Sequence, residues 1–86
     1  MKTELVIEKK TKHDKAINAI YKKVAAKKVK DAKYFDQEVQ AAREVFDAEL
    51  KKHKDLQGYH TGSALWITEK VPGAERIAII MFSPEQ

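Results

Sequence analysis

The chain contains no cysteine. Disulfides, thiolate chemistry, cysteine-ligated zinc and iron–sulfur clusters are thereby excluded. Small secreted domains commonly rely on disulfide staples, so the absence favours a reducing compartment, and a cytoplasmic protein is expected. Long apolar runs are missing as well. Leu5-Val6-Ile7 is too short for the core of a signal peptide. No stretch approaches the roughly 20 apolar residues of a membrane span, so no membrane partner is expected. Histidine is scarce, and His13, His53 and His60 include no pair at the His-x3-His spacing of a zinc site. Neither G-x-G-x-x-G nor a Walker pattern occurs. No metal and no cofactor are expected.

What is present is 86 residues, 43% apolar and 35% charged, with a net charge of +4. That composition describes one folded domain, residues 1–86, with a heavily solvated surface. A chain of this size buries roughly 60–65% of the surface exposed by its unfolded form, enough for one core. The charge is segregated. Residues 9–33 hold ten lysines against Asp14 and Asp31, a balance of +8. Residues 34–50 hold Asp36, Glu38, Glu44, Asp47 and Glu49 against Arg43, a balance of −4. Lys51, Lys52 and Lys54 then return to positive.

Residues 3–8 alternate as a short strand, with Leu5 and Ile7 pointing one way and Val6 the other. Residues 12–30 read as a helix. Ile17, Ile20, Tyr21 and Val24 share one face, and Thr11 with Asp14 resembles a capping box. Residues 34–56 read as a second helix, with Phe35, Val39, Ala42, Phe46, Leu50 and His53 on one face and Gly58 as its C-terminal cap. Lys30-Asp31-Ala32-Lys33 joins the two. Residues 59–63 are expected as a loop. Residues 64–70 and 76–82 are expected as strands around a type II turn with Pro72 and Gly73 at its centre. The tail, Ser83-Pro84-Glu85-Gln86, is expected to fray.

The expected fold is therefore a two-layer α+β domain of order β-α-α-β-β, a three-stranded mostly antiparallel sheet with two helices on one face. Leu5, Ile7, Leu65, Ile67, Ile77, Ile79 and Met81 would face the helices. Val6, Trp66, Ala78, Ile80 and Phe82 would then form a second apolar face with nothing to cover it. Reversing the strand phases exchanges the sets and still leaves one apolar face bare.

An uncovered apolar face on a small protein marks an interface, so Val6, Trp66, Ala78, Ile80 and Phe82 are the candidate protein-binding residues. The partner would be a foreign protein or a second copy of the chain. On the first helix, Lys12, Lys15, Lys22, Lys23, Lys27 and Lys30 fall opposite the apolar seam, continued by Lys28 and Lys33. They are the candidate contacts to nucleic acid or to an acidic partner. Lysine neutralises phosphate as a point charge, whereas reading base edges calls for Arg, Asn or Gln. Any nucleic-acid contact would thus be independent of sequence. Tyr59-His60-Thr61-Gly62-Ser63 gathers a base and three hydroxyls, but no spacing there defines a nucleophile–base pair.

The order of strand, helical pair and antiparallel strands resembles the start of the RelE/ParE toxin fold. That resemblance implies a ribosome-dependent ribonuclease whose basic, Tyr and His residues lie on the sheet and near the C-terminus. His60, Lys70 and Arg76 would have to serve. The chain departs from the pattern in ending after the third expected strand, and Ser83-Pro84-Glu85-Gln86 lacks the basic and aromatic groups expected there. The expected function is a non-catalytic interaction protein, a regulator or inhibitor that docks through the apolar sheet face and is steered by the basic helix. Sequence-independent nucleic-acid binding is the alternative, and a RelE/ParE-like ribonuclease the lesser one.

Overall fold

The computed structural model describes residues 1–27, 29–30 and 32–84. Lys28, Asp31, Glu85 and Gln86 lie outside the described residues. So, with them, do the extension of the lysine face to Lys28, the junction at Asp31 and the last two residues of the tail. Among the described residues the order is β1 (Lys2–Ile7), α1 (Asp14–Ala26), α2 (Phe35–Leu50), β2 (Leu56–Thr61), β3 (Ala64–Glu69) and β4 (Arg76–Ser83). The strands form one antiparallel sheet of order β1-β4-β3-β2. The α+β class and the two helices are as expected; the sheet has four strands rather than three.

α1 forms because Ile17, Ile20 and Val24 recur at helical spacing, and all three are fully buried. It starts two residues later than the sequence suggested. Asp14 Oδ1 accepts from the Thr11 N–H at 3.1 Å, the reciprocal half of a capping box, while the Thr11 hydroxyl accepts from His13 N–H at 3.0 Å. It ends at Ala26, where Lys27 turns to an extended conformation. At the start of α2, the Gln37 side chain accepts from the Lys33 and Tyr34 N–H groups at 2.7 and 3.2 Å. α2 buries Val39, Ala42 and Phe46 beside α1.

α2 stops at Leu50, six residues short of the expected end. His53 continues the apolar spacing, but its N–H already bonds Leu50 C=O at 2.9 Å as the chain leaves the helix. Leu56, expected to end the helix, instead opens β2, and the expected loop at 59–63 is a strand end and a two-residue hairpin turn at Gly62 and Ser63. Gly58 is a mid-strand glycine, not a helix cap. A side chain there would overlap Leu50 Cδ1 and the Phe46 ring; glycine lets α2 lie directly on β2. The turn before β4 is as read from Pro72 and Gly73. Ala74 N–H donates to Val71 C=O at 3.2 Å, and Gly73 takes φ +71°.

The phase of β4 is opposite to the expectation. Residues directly opposed in an antiparallel ladder point to the same side. Ile80 is opposed by Leu5 on β1 and by Leu65 on β3; Ala78 is opposed by Ile7 and Ile67. Ala78, Ile80 and Phe82 thus face the helices and are buried, with exposures of 0, 0 and 5%. Ile79 and Met81 face outward with Val6 and Trp66. Ile77 is buried too, beside the register shift at Ile67/Thr68.

Candidate interaction surfaces

The helices cover one side of the sheet, and no described element covers the other. The period-two alternation brings Val6 of β1, Ile79 and Met81 of β4, Ala64 and Trp66 of β3, and Tyr59 of β2 onto that open side. Val6 and Tyr59 are 40% and 44% exposed. Of the five sequence-predicted interface residues, Val6 and Trp66 lie on this face. Ala78, Ile80 and Phe82 do not; they are core residues, and Tyr59, Ala64, Ile79 and Met81 stand where they were expected.

Two ion pairs lie on this face. Lys2 Nζ lies 3.7 Å from Glu4 Oε1. Arg76 grips Glu8 with two nitrogens, Nη2 donating to Oε2 at 2.7 Å and Nε to Oε1. The hydrogen bonds from Arg76 to Glu8 hold the guanidinium still further above its ordinary pKa. Its carbon sits 4.6 Å over the Trp66 ring, a cation–π stack. The result is an internally neutralised stack of Trp66 and Arg76, both half-buried. Beside it is a shallow hollow of about 400 Å³ lined by Glu4, Ala64, Ile79 and Met81 and, toward the β2–β3 turn and the end of β4, by Ser63, Phe82 and Ser83.

The lysines lie elsewhere. Lys12, Lys15, Lys22, Lys23, Lys27 and Lys30 are all exposed, and none forms an ion pair with a described residue. Lys15, Lys22 and Lys23 are on α1. Lys12 precedes the helix, Lys27 caps it, and Lys30 is in the connection to α2. Because Ile17, Ile20 and Val24 face inward, Lys15 and Lys22 are on the solvent side of the helix layer, with the sheet between them and the apolar face. Lys23 leans toward α2. Glu49 there is held below the usual carboxylate pKa, chiefly by its hydrogen bond from Lys52 at 2.9 Å, with a smaller contribution from Lys23.

The histidines are dispersed. His13 is buried, with Nε2 3.3 Å from Glu69 Oε2. His53 is half-buried just after α2. His60 is on the helix-facing side of β2, with Nε2 2.8 Å from Asp47 Oδ1 and its ring against Phe46. Among the described residues no group of three or more His, Asp or Glu could hold a metal ion, and no hydroxyl hydrogen-bonds His60. His60, Lys70 and Arg76 are not brought together. His60 points toward the helices, Arg76 toward the open face, and Lys70 is in the β3–β4 connection. No helix is long and apolar enough to cross a membrane among the described residues.

One structural residue escaped the sequence reading. Arg43 of α2 donates through Nη2 to Gly62 C=O at 2.6 Å, tying the β2–β3 turn to the helix. Its Nε is buried without a partner. Only the lone arginine in an acidic segment hinted at it. Comparison of the chain with protein-family models, curated proteins and solved structures finds no match.

Proposed function

We propose that this protein is a non-catalytic interaction module, a regulator or inhibitor that acts by occupying a macromolecular partner through its open sheet face. The observation that carries this reading is the face itself: Val6, Tyr59, Ala64, Trp66, Ile79 and Met81 contiguous on a sheet side that no described element covers. Lys2, Glu4, Glu8 and Arg76 there are paired within the chain, and Lys70 borders the face beside Tyr59 and Thr68. A surface with contiguous apolar area gains more from an apolar partner than from water. The test is a photo-crosslinking amino acid placed at position 81, with position 15 on the lysine surface as the comparison, in cells that make the protein. A discrete adduct from position 81 and not from position 15 is expected. Equal labelling from both, or none from 81, refutes the reading.

A second reading rests on a separate observation, the six exposed and unpaired lysines. They suit the backbone of a polyanion such as nucleic acid, without base recognition. They do not suit steering of the sheet-face partner, which was the sequence-based expectation. The two surfaces are back to back in a molecule at least 20 Å across in every direction. Physiological salt screens exposed charges over roughly 8 Å. The ribonuclease reading draws nothing from the geometry, since Arg76 is engaged by Glu8 and His60 lies on the other side of the sheet.

A further inference from the structure

We infer that the occupant of the open sheet face is a second copy of this chain, docked sheet to sheet about a two-fold axis. The inference rests on the proposal that this face is the interaction surface, and it makes the macromolecule bound there a second copy rather than a foreign target.

The first argument is where the charge lies. Each copy carries +4, so two copies repel unless their lysines stay apart. Pairing along a sheet edge would set the helix layers side by side, and helix-to-helix docking would oppose the lysine surfaces directly. Stacking the open faces puts both lysine surfaces on the outside. Successive layers are spaced roughly 10 Å apart, so the two helix layers are then separated by roughly 30 Å. That exceeds the roughly 8 Å screening length several-fold. Within the contact, Lys2 is paired with Glu4 and Arg76 with Glu8, so these four groups bring no uncompensated charge together.

Shape supplies the second argument. A symmetric dimer needs a surface that complements itself. This face has the Trp66–Arg76 stack and beside it the hollow that Glu4, Ala64, Ile79 and Met81 help to line. A two-fold axis lying in the contact plane midway between them sets each copy's stack opposite the other's hollow. Size is the third. Four strands about 4.8 Å apart and six residues long cover roughly 20 by 20 Å. Two such faces bury on the order of 1,000 Å² in total once side-chain relief is included, the lower bound for a specific interface. A dimer that dissociates on dilution is the expected consequence.

The experiment is sedimentation equilibrium of the wild type, Met81→Glu and Val6→Glu across about 1 to 500 μM, with circular dichroism to verify folding. The wild type is expected to move from 9.8 kDa toward twice that mass, with Trp66 emission shifting to the blue, and 0.5 M salt should not weaken it. Both variants should stay at the monomer mass with an unchanged spectrum. Val6 is an exposed edge-strand residue, so its variant keeps the test valid if Met81→Glu does not fold. Wild type that remains at 9.8 kDa throughout overturns the inference, and so does a dimer that both variants retain. The crosslink from position 81 separates the two claims. An adduct to a chain of different mass from monomeric wild type removes the second copy and leaves the sheet-face reading in place. No adduct removes both.

Discussion

Neighbouring residues on β4 carry opposite roles, and this is the sharpest test of the fold at the residue scale. Phe82 is 5% exposed in the core, while Met81 points to the open face. Placing a carboxylate at position 82 strands a charge in an apolar core, and Phe82→Glu should unfold the domain at neutral pH. Met81→Glu should leave the thermal transition within a few degrees of the wild type. If both variants unfold alike, the strand phase derived from the register is wrong. The glycines give a second contrast. Gly58→Ala pushes a methyl group into Leu50 and Phe46, an overpacking that costs about 1–3 kcal/mol; pairing it with Leu50→Ala should recover part of the loss in urea denaturation. Gly62→Ala meets no atom, but sits at φ +56°, so its cost should be only the left-handed backbone penalty of about 1 kcal/mol.

At the scale of elements, the sequence revealed most where one periodicity prevailed. α1 was legible because Ile17, Ile20 and Val24 alternate with lysines, and the turn before β4 because Pro72-Gly73 admits few conformations. β2 was not legible. His53 happens to continue the apolar spacing of α2, and Gly58 looks like a helix cap. The reason for that glycine, the closeness of Phe46 and Leu50, exists only in three dimensions. The phase of β4 was not legible either, because Ile77-Ala78-Ile79-Ile80-Met81-Phe82 has no alternation and only pairing with Leu5 and Leu65 decides which members turn inward. The interface set inherited that ambiguity: Val6 and Trp66 kept their face, and the three β4 residues exchanged with their neighbours. Hydrogen exchange tests the fourth strand directly. Lys70 N–H bonds Asp55 C=O at 2.9 Å, so by the antiparallel alternation Gln57, Tyr59 and Thr61 aim at β3, while Gly58 and His60 aim at the open edge. Protection should alternate, with Tyr59 slow and Gly58 and His60 fast. A helix running to residue 56 followed by a loop would show no such alternation.

Across the whole molecule, the sheet divides an apolar side from a basic one, and the division makes the two surfaces separable by experiment. If the lysine surface binds a polyanion, log K should fall linearly with log salt, with a slope of about −0.9 for each phosphate contacted on duplex DNA. Reversing charge at Lys15 and Lys22, which share the outer face of α1, should make that slope shallower by about 2 and weaken binding to every duplex sequence alike. Met81→Glu changes net charge by one unit, but on the far side of the sheet, beyond the screening length. At fixed protein concentration below the dimer range it should therefore leave the slope unchanged. A slope that drops equally in both variants would mean that one surface, not two, carries the binding. Above the dimer range the prediction differs. Two lysine surfaces facing outward from one particle should let the wild type bridge separate duplexes, while Met81→Glu binds them singly. Light scattering at equal occupancy distinguishes the two states, because bridging raises the mass of the complexes without changing the salt dependence of each contact.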